Sequence, residues 1–216
     1  MKISKYLLGF LLIIFSLLYI SSPVLADSTE ELENEIVVFE KSEEDIEIES
    51  KLQEKQIIQD LIRNQPLTDG GVPGGITTLN DVSSYKTEYG TPVTKSVYGF
   101  AGNQPYGGIR FTTGGGFSWA NSGGPSTTLN VSFPTPYASL SVAIPLGNRS
   151  TSVTGYFVKA PNTTDYFKLH VSKKYKVTPY VTYVQSRDWM HRIVWTKVGS
   201  GHTRIHVSTT LGARKS

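Results

Sequence analysis

From about Thr77 to the C-terminus, apolar and polar residues alternate in short runs. In Leu129-Asn130-Val131-Ser132-Phe133 and in Leu140-Ser141-Val142-Ala143-Ile144 the apolar side chains fall on every second position, which puts them on one face of an extended strand. Phe167-Lys168-Leu169-His170-Val171, Tyr175-Lys176-Val177, Ile193-Val194-Trp195 and Arg204-Ile205-His206-Val207 read the same way. Turn-forming clusters separate them: Gly114-Gly115-Gly116, Asn121-Ser122-Gly123-Gly124-Pro125, Gly147-Asn148 and Gly199-Ser200-Gly201. The pattern predicts an all-β domain over residues 77–216, an antiparallel β-sandwich or barrel of about 8–10 short strands. Tyr98 to Gly116, with seven glycines, reads as a long irregular hairpin or surface loop.

Ahead of this domain the period is different. Ser28-Thr29-Glu30-Glu31 fits a capping box and predicts a helix start. A second helical stretch is expected from about Glu43 to Arg63, with Ile46, Leu52, Ile57, Ile58, Leu61 and Ile62 as its apolar positions. Between them Ile36-Val37-Val38-Phe39 is β-branched and fits either state. So few large apolar residues cannot support an independent fold, so residues 27–68 are expected to be disordered or to fold only against something else. Asp69-Gly70-Gly71-Val72-Pro73-Gly74-Gly75 propagates neither helix nor strand, making residues 69–76 a linker and the domain boundary. Its Gly-Gly pairs resemble the cleavage sites of double-glycine bacteriocin leaders.

The first residues add a compartment. Lys2 and Lys5 precede an apolar run from Tyr6 to Ile20, Ser21-Ser22-Pro23 breaks it, and Val24-Leu25-Ala26 supplies small residues for cleavage. Residues 1–26 therefore read as a secretory signal peptide, the run being short of the ~20 residues that span a bilayer comfortably. The chain has no cysteine, so a secreted product is stabilised by its core and not by disulfides. A leader on a cysteine-free chain suits a Gram-positive exporter, with the protein released or held noncovalently at the wall.

Charge changes the picture most. Residues 27–76 carry 14 acidic and 4 basic side chains, whereas residues 77–216 carry 4 acidic and 15 basic ones, so the net charge of +3 is a cancellation. The acidic segment 27–68 is expected to attract the basic domain as a spacer or mask, and the domain to seek an anionic partner. Strand alternation nominates where: Lys168, His170, Lys174 and Lys176, and Arg204 and His206, are expected on faces turned to solvent, opposite the apolar residues of their strands. Trp189, beside a hairpin turn at Ser186-Arg187-Asp188, is the best candidate for an exposed stacking aromatic. The partner expected outside a Gram-positive cell is an anionic wall polymer or membrane surface; secretion argues against nucleic acid.

Catalytic and metal chemistry find little support. His202 and His206 would lie about 13 Å apart on a strand, too far to share one zinc ion. No cofactor motif occurs: the glycine clusters lack phosphate-loop spacing and open no helix. Asp81, Glu88, Asp165 and Asp188 are the carboxylates on which a glycan-processing enzyme would have to draw, with Asp165 and Asp188 the ones to change in a test. Phe117-Ser118-Trp119 reads as core packing more readily than as a sugar platform. The expectation is a secreted, non-enzymatic binder of anionic envelope surfaces. The alternatives are a bacteriocin-like toxin activated by removal of the acidic segment and a glycan-processing enzyme.

Overall fold

The computed structural model describes residues 33–64, 85–151, 155–187 and 189–216. The expected signal peptide at 1–26, the expected capping box at Ser28, the expected linker at 69–76, Asp81 and Asp188 lie outside them. The fold is all-β and antiparallel, with one helix among the described residues: β1 (Glu33–Glu40), α1 (Glu43–Asn64), β2 (Tyr85–Tyr89), β3 (Val93–Phe100), β4 (Gly116–Ala120), β5 (Ser126–Val131), β6 (Leu140–Pro145), β7 (Asn148–Ser150), β8 (Tyr156–Lys159), β9 (Phe167–Arg187) and β10 (Ile193–Lys215). The main sheet runs β1-β10-β9-β2, and β3 also pairs with β9. A three-stranded sheet, β7-β4-β8, and a two-stranded one, β5-β6, account for the other described strands.

Two strands are far longer than the alternation suggested. The runs at 167–171 and 175–177 belong to the 21-residue β9, and those at 193–195 and 204–207 to the 23-residue β10. Gly199-Ser200-Gly201, expected as a turn, lies inside β10. Gly201 stands opposite Tyr180, whose ring fills the space that a Cβ would need, so the glycine marks a close cross-strand approach. Pro179 interrupts no ladder either. It falls where β2 ends and β3 has not begun on that edge of β9, and its carbonyl accepts the Gly90 amide at 2.9 Å. Tyr98 to Phe100, the start of the stretch expected as an irregular hairpin or surface loop, are the last residues of β3.

One face of the main sheet carries the core. Phe167, Leu169 and Val171 of β9, with Leu211 and Ala213 of β10, pack against Phe117, Trp119 and Val158 of the three-stranded sheet. Val97, Tyr175 and Val177 pack against Leu129, Val131 and Ile144 of the two-stranded sheet. Lys173 lies on the same face of β9, between the two clusters, and is 4% exposed. Its ammonium donates to Asn121 Oδ1 at 2.8 Å and to the Pro145 carbonyl at 2.6 Å, and sits 5.6 Å from the Trp119 ring centroid. Burial holds its pKa below the ordinary lysine value. Those contacts are the compensation that a buried charge without a carboxylate requires.

The acidic segment is built into this architecture. β1 pairs antiparallel with β10, Ile36 opposite Leu211, and Ile36 and Val38 pack on the core. The Ser42 hydroxyl accepts the Asp45 amide at 3.1 Å, and Glu43, Glu44 and Asp45 crowd the first turn of α1, where the helix dipole favours carboxylates. Ile46 is buried, while Ile48 and Leu52 remain exposed. Further along, the Gln53 side-chain amide donates to the Arg204 carbonyl at 3.3 Å and accepts the Arg204 amide at 3.2 Å, taking the place of a neighbouring strand along that stretch of β10.

Candidate functional site: the outer face of the main sheet

Residues directly opposite one another in antiparallel strands project to the same side. On the face of β9 away from the core the rows are therefore Phe100, His170 and Gly212; Tyr98, Ser172, Thr210 and Val37; Ser96, Lys174, Ser208 and Glu40; and Thr94, Lys176 and Ile205. Lys168 pairs with Arg214 at the end of the series. Lys168, His170, Lys174 and Lys176 thus share one face, as period two requires.

They do not share one environment. His170 is 5% exposed and so is not a surface cation: its ring lies 5.8 Å from that of Tyr98 and 5.8 Å, edge-on, from that of Phe100. Burial, with a smaller push from Arg214, lowers its pKa to about 4, so the imidazole is neutral at physiological pH. Its Nδ1 has no hydrogen-bond partner among the described residues. Lys168 places its ammonium 5.3 Å from the Phe100 centroid and 5.0 Å from that of Tyr106, which is 97% exposed. Arg110 lies over Tyr166 at 5.9 Å. Tyr98 is exposed, as is Lys174. The result is a platform of exposed rings with cations held against their electron-rich faces.

At the other end the acidic helix covers the face. Lys176 is half-buried, 4.0 Å from Glu43. An open groove of about 570 Å³ is lined by Glu43, Glu47, Glu54, Tyr89, Lys176 and Ile205, among others. Hydrogen bonding and attraction from Lys51, with a smaller contribution from Lys176, hold Glu47 below the usual carboxylate value. Burial and the Glu54 carboxylate push the Tyr89 hydroxyl up.

Arg204 and His206 lie on the opposite face, beside Val177 and Tyr175. The Arg204 guanidinium is 5.8 Å from the Tyr175 centroid. His206 stacks on Phe39 of β1 at 4.8 Å, and its Nε2 lies 2.8 Å from the Thr209 hydroxyl. Ile205, expected to face the core, instead lines the groove beneath α1. The reason is a register shift between His206 and Ser208, after which Thr209, Leu211 and Ala213 face the core. A single extra residue reverses the parity of everything beyond it, and alternation within four residues cannot reveal that.

Trp189 is 81% exposed at the end of the β9–β10 hairpin, apart from the platform. Tyr98, Phe100 and Tyr106 were not foreseen as site residues; the glycines around them read as loop, although the spacing of Tyr98 and Phe100 by two was a strand signal. Among the described residues no group of three or more His, Cys, Asp or Glu is placed to hold a metal ion. His202 instead stacks on Phe133 and contacts the Ala138 carbonyl. Asp165 is bound to Lys215 at 3.1 Å and to Asn162 at 3.1 Å, which hold its pKa below the ordinary carboxylate value. Phe117 and Trp119 are core residues. No described helix is long and apolar enough to cross a membrane.

Comparison with protein-family models, with curated proteins and with solved structures finds no match to this chain.

Proposed function

We propose that this is a secreted, non-enzymatic protein whose outer sheet face binds an anionic cell-envelope surface, wall polymer or membrane, with the acidic helix limiting how much of that face is open. The observation that carries the reading is the Lys168 ammonium held against Phe100 and Tyr106, with Tyr98 and Lys174 exposed beside it. The described carboxylates of the C-terminal part do not oppose this charge freely. Glu88 is paired with Lys86 at 2.5 Å and Asp165 with Lys215. A half-exposed cation in aromatic surroundings, with an exposed one beside it, suits a polyanion, which gains both charge neutralisation and contact with flat apolar rings.

The chain from Asp27 is expected to sediment with purified Gram-positive cell walls and with phosphatidylglycerol vesicles at low ionic strength. The bound fraction should fall as salt is raised from about 0.05 to 0.5 M, because screening shortens the reach of each lysine. Failure to bind either at low salt would end the proposal. A second reading, a bacteriocin-like toxin acting on membranes, is favoured by one feature, the exposed aromatic end of the β9–β10 hairpin. Its sign would be dye leakage from vesicles.

A further inference from the structure

β2 pairs with β9 as far as Tyr85 opposite Val184, but the β9–β10 ladder continues through Gln185 opposite Trp195 to Arg187 opposite Ile193. Among the described residues, the end of this hairpin therefore extends past its pairing with β2. Four large apolar side chains gather there: Trp189 is 81% exposed, Ile193 58%, Met190 49% and Trp195 44%. Ile193 and Trp195 are two apart in β10 and share one side of the arm, while Trp189 and Met190 lie at its turn. None of the four belongs to either core cluster.

We propose that this hairpin end is a bilayer anchor, inserting Trp189, Met190, Ile193 and Trp195 at the headgroup boundary of an anionic membrane. Four side chains offer too little area for a stable protein interface, which needs roughly 800 Å² per partner. A fluid bilayer accepts them without complementary packing. Tryptophan suits the boundary region because its ring is apolar and its N–H is polar. Charge selects the lipid: residues 183–200 contain Arg187, Arg192 and Lys197 against the single acid Asp188.

The anchor rests on the envelope reading only for the presence of such a membrane. The test uses the chain from Asp27 with phosphatidylglycerol–phosphatidylcholine vesicles containing chain-brominated lipid. Bromine near the headgroup should quench tryptophan emission more than bromine near the bilayer centre, while buried Trp119 supplies an unquenched remainder. Trp189→Ala with Trp195→Ala should weaken vesicle flotation by roughly tenfold or more, since two exposed aromatics lose their burial. Ile193→Asn should weaken it less. Both variants should keep the wild-type melting temperature and wall sedimentation. Quenching with loss on mutation upholds the anchor, even if wall sedimentation fails and the polymer reading falls with it. Unquenched emission, or variants that float as wild type does, overturns the anchor whether or not walls are bound.

Discussion

A chain lacking residues 27–76, and with them β1 and α1, is expected to lose on the order of 5 kcal/mol of stability, comparable to the whole margin of a small domain. The segment's acidity suggests a detachable mask, but its apolar residues are structural. Ile36 and Val38 complete the core cluster around Leu211, and Ile46 is 2% exposed. Phe39 covers His206, the Lys41 amide donates to the Val207 carbonyl at 2.8 Å, and Gln53 satisfies both backbone groups of Arg204. Without these, β10 becomes an open edge beside freshly exposed Ile205 and Leu211, an invitation to aggregation. Urea unfolding of residues 27–216 and 77–216 should give a much lower midpoint for the shorter chain, or an insoluble product. Equal midpoints would mean that β1 and α1 contribute nothing. If the loss is seen, a nick in the linker leaves the acidic segment bound, and activation by its departure becomes costly.

Acid is expected to cost about 3 kcal/mol through His170 alone. The folded pKa of about 4 lies below the 6.5 of an unperturbed histidine, so the unfolded chain binds the proton more readily. The neutral ring's full contribution is present above pH 6.5 and is lost as pH falls toward 4, where the folded form also titrates. His206, likewise held below its ordinary value by burial, adds in the same direction. Melting temperatures between pH 8 and pH 4 should decline, and His170→Phe, which keeps a ring between Tyr98 and Phe100, should flatten that decline. An unchanged acid slope in the variant would show that His170 is not the group responsible.

Much of the fold was legible in short-range pattern, and its failures have physical causes. Alternation located Phe167, Leu169 and Val171 on a core face and set Lys168, Lys174 and Lys176 opposite them. Lys173 was not singled out, although it continues the odd series to Tyr175 and Val177 that the structure turns inward. Glycine misled where it marks a close approach and not a turn: Gly201 lies under Tyr180 within β10. The bulge near Val207 reversed the expected sides of Ile205 and His206 because register is set by the partner strand. His170 sits on the predicted face yet is covered by Tyr98 and Phe100, neighbours brought alongside by β3 from some 70 residues earlier in the sequence. Local sequence carries parity; it does not carry which distant rings will cover a given position.

The most direct measurement compares two charge reversals in vesicle and wall binding at fixed low salt. Lys168→Glu with Lys174→Glu changes the outer face, while Lys95→Glu with Lys159→Glu makes the same change in net charge away from it. The outer-face pair is expected to weaken binding by at least about tenfold and to flatten its salt dependence, with the control pair close to wild type. Equal weakening by both pairs, or none by the first, would contradict a binding site on that face.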